Sequence, residues 1–379
     1  MNLRLLPVLS LALALAACGQ APSPAPAGAE AADADENPAA VAARPADQRD
    51  IPVVKEAFLS AMTPQDNIDS LASWSSSDGA TWVVGTAKAS DKLVVYDGAT
   101  GKTLREVGGP GAGQGQFERP NGVMVADDLL FVVERDNHRV QVLRLPAFAH
   151  VASFGADELR KPYGLWVNRA GAGYEVYVTD AYMAGEDAQG EDILPPLAQL
   201  DARVKRYAFM PDGQGWKASS LGAFGDTSEQ GALRVVESVW GDAANDRLLV
   251  AEEDEAYANE LKVYDLSGKF AGRTFGRDVF QAQSEGIALK TCSDGRGWWI
   301  TTEQGKGRTV FHLFDRQSLA HVGAVTGQVV ANTDGIWLHD APTPRFPDGV
   351  LYAVHDDQGM VALDWRDIAA ALSLPACAR

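Results

Sequence analysis

The sequence has few cysteines, a deficit of cations and only one long apolar run. Three cysteines in 379 residues are too few for a small scaffold held together by disulfides. The chain has 33 Lys and Arg against 51 Asp and Glu, a formal net charge of −18, which excludes nucleic-acid binding as a main activity because that requires a clustered cationic surface. The apolar run lies at the extreme N-terminus, so a polytopic membrane protein is also excluded.

The N-terminus has the layout of a secretory signal. Arg4 supplies a positive start, residues 5–17 are apolar, and small residues precede Cys18. The stretch Leu15-Ala16-Ala17-Cys18-Gly19 resembles the lipobox of bacterial lipoproteins, which implies that Cys18 is lipidated; an ordinary signal peptide cut nearby is the alternative. We therefore expect a signal peptide over 1–17 and a lipidated cysteine with a disordered Ala/Pro tether over 18–50.

This N-terminus also predicts where the protein acts. The chain should be exported and held at the bacterial cell envelope by its lipid anchor only, and Gly19 after the lipidated cysteine favours the outer membrane. Export permits disulfides. Cys292 and Cys377 remain after Cys18, and they either form a bridge that staples the C-terminus to a neighbouring strand pair or stay as two buried thiols.

A repeat organises the rest of the chain. Short apolar stretches bounded by Gly, Asp and Asn indicate strands and turns from about residue 53 onward. A polar residue, then Gly or Ser, then an aliphatic residue recurs six times with a period of about 50 residues and one longer step that contains the polar insertion 184–199. The copies begin at Asp69, Asn121, Tyr163, Glu237, Glu285 and Asp334.

This period, with four short strands in each unit, predicts an all-β fold, a six-bladed β-propeller over residues 51–372. Residues 52–58 precede the first copy and should supply the outer strand of the last blade. The Ala-rich stretch 365–372 should form a short helix, and 373–379 a loose tail. A closed propeller has no open sheet edge that demands a partner, and we expect a monomer.

Two rings of polar side chains should meet at one end of the channel. The first ring consists of the six residues that open the repeats. The second follows the next strand of each blade and reads Lys88, Arg135, Asp180, Glu253, Gln304 and Asp357. Because several carboxylates cannot stay ionised at close range without cations between them, and because oxygen ligands select hard cations, the rings predict bound Ca²⁺. The candidate ligands are Asp69, Glu237, Glu253, Glu285, Asp334 and Asp357.

Simpler interpretations of the rings remain open. Polar residues can line a propeller channel because it is wet, an Asp can cap its own turn, and Lys88 and Arg135 can pair with adjacent carboxylates. The acidic insertion, with Glu186, Asp187, Glu191 and Asp192, either supplies further ligands or is a solvated loop.

With these residues identified, the chain resembles the β-propeller phytases, calcium-dependent enzymes that release phosphate from myo-inositol hexakisphosphate. The most specific match is the run Ala251-Glu252-Glu253-Asp254-Glu255-Ala256. Further matches are Asp69 with Trp74 following, Val236-Glu237-Ser238, Ser284-Glu285-Gly286-Ile287, Glu303-Gln304-Gly305 and Thr333-Asp334-Gly335-Ile336. The chain has Ser70, Ala181 and Gln283 where the family has an acid, part of a Lys-Glu pair and an Asp, which implies fewer calcium ions or phosphate contacts.

The resemblance implies a 3-phytase-type phosphatase, a phosphoric monoester hydrolase that acts on a small anionic phosphate ester. Glu237, Glu253, Glu285 and Asp334 would hold calcium, and Lys88, Arg135 and Tyr163 would contact phosphate, with Gln304 as a further ligand. Glu237 and Glu253, with Arg135 and Lys88 as clamps on the phosphate, are the predicted catalytic residues.

Two other functions compete with this one. A calcium-dependent propeller lactonase or esterase would hold one metal with Asn121, Glu237 and Asp334. A non-catalytic surface binding propeller is favoured by the second blade, where residues 119–123 and 134–142 resemble an NHL repeat.

Overall fold

The short apolar strands form six small antiparallel sheets in a computed structural model of the protein. The structure describes residues 47, 49–190, 192–254 and 256–377. The predicted signal peptide, Cys18 and most of the predicted tether lie outside the described residues. Among those described, no helix is both long and apolar enough to span a bilayer.

Each sheet has four strands, and neighbours along the chain are hydrogen-bonded neighbours within it. Blade 1 contains β2 (Ile68–Ser75), β3 (Thr81–Ala87), β4 (Lys92–Asp97) and β5 (Thr103–Gly108). Blade 2 contains β6 (Pro120–Ala126), β7 (Leu129–Glu134), β8 (Arg139–Arg144) and β9 (Ala149–Phe154). Blade 3 contains β10 (Pro162–Ala170), β11 (Gly173–Asp180), β14 (Val204–Asp212) and β15 (Gly215–Phe224). Within it, the insertion forms a hairpin of β12 (Gly185–Glu186) and β13 (Asp192–Ile193).

The second half of the chain repeats this arrangement. Blade 4 contains β16 (Val239–Asp242), β17 (Arg247–Glu252), β18 (Glu260–Tyr264) and β19 (Phe270–Phe275). Blade 5 contains β20 (Ser284–Thr291), β21 (Gly297–Glu303), β22 (Val310–Asp315) and β23 (His321–Thr326). Blade 6 contains β24 (Ile336–His339), β25 (Val350–His355) and β26 (Gly359–Asp364), with β1 (Phe58–Leu59) as its outer strand.

The ring closes through both ends of the chain. Strand β1 pairs with β26, so the N-terminal segment completes the last blade, and the inner strand of each blade lies against that of the next, with β24 returning to β2. The predicted six-bladed β-propeller is confirmed, and the closing strand is Phe58–Leu59, at the end of the stretch predicted for it.

The C-terminus is fastened to blade 5. Helix α1 (Trp365–Ala371) follows β26, as predicted, and begins at Asp364, whose carboxylate accepts the backbone N–H of Arg366. Beyond it, Cys292 and Cys377 form a disulfide, and Arg296 donates to the carbonyl of Ala376. Residues 373–377 of the predicted loose tail are therefore tied to the propeller.

The Gly in the repeat lies where two blades touch. A Cβ on Gly164 would lie 2.1 Å from the backbone oxygen of Glu237, and one on Gly335 would lie 2.5 Å from that of Asp69. The N–H of Gly335 donates to the same Asp69 oxygen at 3.0 Å. Since no side chain fits at this approach, the polar residue that opens each of these Gly-bearing repeats is held next to its neighbour in the following blade.

A β-bulge accompanies the repeat in four blades. The strand register shifts between Ile68 and Leu71, and at the equivalent places in β6, β10 and β20. A bulge re-aims a side chain and ends regular pairing, and here it falls at the residues of the first ring. Below them, Trp240 and Trp337 pack edge to face with ring centroids 5.4 Å apart, so the polar ring lies above an apolar floor.

Candidate metal centre and adjoining cleft

Three glutamates from two blades meet at the channel mouth. Glu237, Glu253 and Glu285 each offer a carboxylate oxygen, and the three oxygens lie within 4.8 Å of one another. All three side chains are buried. Two oxygens on opposite sides of one calcium ion are about 4.6–5.2 Å apart, because each bond is roughly 2.3–2.6 Å long. The spacing and the all-oxygen donor set therefore fit a calcium ion.

Electrostatics favour a cation at this point. Two carboxylates about 4 Å apart repel by about 4 kcal/mol at an effective dielectric of 20, and burial adds a desolvation cost to each charge. A divalent cation among the three would attract each carboxylate and so offset both penalties.

The acidic run after β17 is divided among different tasks. Glu252 accepts the backbone N–H groups of Arg234 and Val235 and lies 3.6 Å from the buried ammonium of Lys262, while burial raises the pKa of its carboxyl. Glu253, one residue later, lies with Glu237 and Glu285 in the candidate metal centre. Strand alternation explains this division because successive side chains leave a strand on opposite faces.

A lysine neutralises the other side of the mouth. Lys88 is 2% exposed, and its ammonium lies 3.0 Å from an oxygen of Asp69 and donates to the hydroxyl of Tyr163 at 3.2 Å. The Tyr163 hydroxyl in turn donates to the same Asp69 oxygen at 3.2 Å. The structure thus joins Asp69 to a cation, in a triangle beside the glutamates.

Asp334 lies among the remaining acids. It keeps some contact with solvent but is deep in the mouth, and its carboxylate accepts a hydrogen bond from the amide of Gln304. Burial and the charges of Asp357, Asp69 and Glu285 raise the pKa of Asp334 well above its usual range, against the opposing effect of Lys88. A carboxylate whose ionisation is opposed in this way gains most from a nearby cation.

This raised pKa predicts a pH effect on the cation-free protein. A folded-state pKa above the unfolded value stabilises the fold below the unfolded pKa of about 4, and this contribution is lost as the pH rises through the folded value. Asp334→Asn should therefore raise the melting temperature at neutral pH by a few degrees and flatten its fall between pH 4 and neutrality. Thermal unfolding with chelator measures this, and parallel pH profiles for variant and wild type would contradict it.

A cleft lies on blades 1, 2 and 6 and reaches the mouth at Lys88. It has a volume of about 960 Å³ and is lined by the cations Lys88, Arg119 and Arg135 and by five acids: Asp91, Glu118, Asp136, Asp356 and Asp357. Arg135 is half-buried, pairs with Asp136 at 2.7 Å and lines the cleft together with Lys88. Lys88 belongs both to the cleft and to the channel mouth. Asp357 accepts from the amide of Asn332 at 2.9 Å.

The second ring does not converge completely. Asp180 is fully buried and accepts the backbone N–H groups of Arg160 and Lys161, so it organises blade 3 and does not join the glutamates. In the insertion, Asp192 pairs with Lys161 at 2.5 Å, Glu186 is exposed, and Glu191 lies outside the described residues.

Asn121 is the ring member with unsatisfied polarity. Its side chain is 0% exposed, and neither its amide oxygen nor its amide nitrogen has a hydrogen-bond partner within the described parts of the chain. A buried amide without a partner costs free energy, so a water or a ligand at the mouth would be needed to satisfy this side chain.

Three charged residues with contacts in the structure were not among those predicted from the sequence. Arg119 lines the cleft, and its signal was a cation two residues before the ring position of blade 2. Lys262 is fully buried, and its signal was a charged residue inside the apolar strand β18. Arg49, in the predicted tether, lies 3.1 Å from Glu303 of blade 5, and no sequence pattern indicates that contact.

Comparisons with known proteins do not assign the chain to a family. No protein-family model matches the chain, and a search of curated proteins gave no match. Among solved structures, one that matches is described as the crystal structure of BBS1N in complex with ARL6DN, soaked with mercury. It is 13% identical, with a TM-score of 0.48, over 83% of this chain and 97% of that chain. The closed ring of six sheets defines the protein as a six-bladed β-propeller with a buried acidic centre at its channel mouth.

Proposed function

We propose that the protein is a calcium-dependent phosphomonoesterase of the phytase type, acting on myo-inositol hexakisphosphate. The observation that carries the proposal is the buried triad Glu237, Glu253 and Glu285, whose oxygens lie within 4.8 Å of one another. A cleft of mixed charge that contains the cations Lys88, Arg119 and Arg135 supports it. An acidic mouth repels an anionic substrate unless cations intervene, and the cleft supplies donors for phosphate oxygens.

The acidic residues would bind the metal, and Arg135 would bind the phosphate. Glu237, Glu253 and Glu285 would hold calcium, with Asp334 and Asp357 on its cleft side. Bound calcium lowers the pKa of a water and offsets the charge that develops on phosphorus. Arg135 can bind two phosphate oxygens through its planar guanidinium.

Lys88 and its neighbours would complete the substrate contacts. The Lys88 ammonium, already within 3.2 Å of the Tyr163 hydroxyl, would hold the phosphate next to the metal. Gln304, which donates to Asp334, would orient that carboxylate.

The proposal includes the location of the enzyme. The lipobox-like stretch around Cys18 supports a lipid-anchored form at the outer membrane. Asp47 and Arg308 form an ion pair at 2.5 Å, which supports a tether that leaves the propeller from blade 5.

The test is phosphate release from calcium phytate by the full-length protein. Release should require calcium and should stop when a chelator is added, then return when calcium is restored. If no phosphate appears although calcium still raises the melting temperature, the ion is structural, and the non-catalytic binding propeller is the better interpretation.

The second candidate is the calcium-dependent lactonase or esterase, which the unsatisfied amide of Asn121 favours. In that enzyme Asn121, Glu237 and Asp334 would hold one metal. Hydrolysis of a lactone or an aryl ester that is lost in Asn121→Ala, without phosphate release from phytate by the wild type, would favour this candidate.

A further inference from the structure

The loop after Glu253 is fastened to the propeller through one aromatic ring. This loop joins β17 to β18 and begins with Glu253 itself. Asp254 starts a turn in which its backbone oxygen accepts the N–H groups of Tyr257 and Ala258 at 2.9 and 3.0 Å. The turn brings the Tyr257 ring back against the blade.

Three cations surround that ring. The guanidinium of Arg234 lies 3.4 Å from the ring centroid, the ammonium of Lys262 lies 4.8 Å from it, and the guanidinium of Arg277 lies 5.1 Å from it. Cations within about 6 Å of an aromatic face are attracted by its quadrupole, more strongly where water is excluded. Arg234 and Lys262 are both buried, so these contacts are of the stronger kind.

The same cations are anchored to the segment that leads to Glu237. Arg234 pairs with Glu229 at 2.7 Å, Lys262 donates to the carbonyl of Gln230 at 2.8 Å, and the Tyr257 hydroxyl donates to the carbonyl of Glu229 at 2.8 Å. Tyr257 therefore connects the loop that carries Glu253 with the segment that carries Glu237.

We infer that Tyr257 is a positioning residue of the metal centre, which fixes Glu253 relative to Glu237 so that both carboxylates reach one cation. The inference rests on the proposed function, because it assumes that calcium binds these glutamates. The ring carries the effect because it contacts all three cations, whereas the hydroxyl donates to the backbone carbonyl of Glu229. Loss of residues that orient metal ligands typically weakens metal binding by about 10- to 100-fold.

The experiment is a calcium titration by calorimetry of the full-length wild type, Tyr257→Leu and Tyr257→Phe. Tyr257→Leu should raise the calcium dissociation constant by about tenfold. Tyr257→Phe, which keeps the ring, should bind calcium with a dissociation constant within about twofold of that of the wild type. Melting temperatures measured in chelator report the effect of each change on the fold alone.

The outcomes separate this inference from the proposed function. Wild-type affinity in Tyr257→Leu, with or without a lowered melting temperature, would show that the ring is only structural and would overturn the inference. Equal losses in the Leu and Phe variants would overturn the role of the ring. A wild type that binds no calcium would overturn the proposed function and the inference together.

Discussion

Glu253→Gln is expected to weaken calcium binding by about a hundredfold or more and to abolish phosphate release. Removing one of three negative ligands costs the charge–charge attraction to the ion, which at close range exceeds about 3 kcal/mol even at an effective dielectric of 20. Without calcium, Glu253→Gln should instead raise the melting temperature, because the neutral amide does not repel Glu237 and Glu285. In the wild type, oxygens of the three carboxylates lie within 4.8 Å of one another. Calorimetry and thermal unfolding, each with and without calcium, measure both effects.

Because calcium affinity should fall while cation-free stability should rise, this variant tests the cation site specifically. Asp278→Asn is the matched control, because it removes one negative charge from an exposed position and should change neither calcium affinity nor cation-free stability. A Glu253→Gln protein that binds calcium like the wild type, or that melts lower than the wild type in chelator, would show that Glu253 does not take part in a cation site.

The fold could be predicted from the sequence because one local constraint recurs. The Gly or Ser of each repeat marks the contact between blades, as at Gly164, where a Cβ would meet the backbone of Glu237. The residue before it must then lie at the channel mouth. Counting these positions gives the number of blades, and their identities indicate which polar groups converge.

The pairing of those groups could not be predicted in the same way. Whether Lys88 meets Asp69 depends on the distance between side chains from different strands, and the structure shows that pair. Arg135 pairs instead with the next residue of the chain, Asp136. Asp180 has the sequence position of a mouth residue but turns toward the N–H groups of Lys161 and its neighbour, and the ammonium of Lys205 lies 3.8 Å from it.

The partners of buried charged residues could not be predicted from the sequence either. A lysine inside an apolar strand, such as Lys262, indicates a buried charge but does not name its partners. The structure shows them to be Glu252 and Glu260, at 3.6 and 3.2 Å. In the acidic run that carries the family resemblance, Glu252 is therefore structural, and Glu253 belongs to the candidate metal centre.

Lys88→Met is expected to lower the free energy of unfolding by about 3–5 kcal/mol in the absence of divalent cations. Lys88 and Asp69 are each 1% exposed at their side chains and 3.0 Å apart. Removing the ammonium leaves the buried carboxylate of Asp69 uncompensated, and Asp334 loses the cation that partly offsets its burial. Lys217→Met, at an exposed position on β15, is the control and should cost less than about 0.5 kcal/mol.

A double variant tests the cause of that loss. Asp69→Asn combined with Lys88→Met removes both charges of the pair, so it should recover most of the stability that Lys88→Met loses, because replacing a buried ion pair is far less costly than breaking it. Urea unfolding of the four proteins of this cycle, in chelator at neutral pH, gives the coupling free energy. A double variant as unstable as the sum of its single variants would mean that Lys88 stabilises the mouth through its packing, and that its charge could be given to a substrate phosphate without cost to the fold.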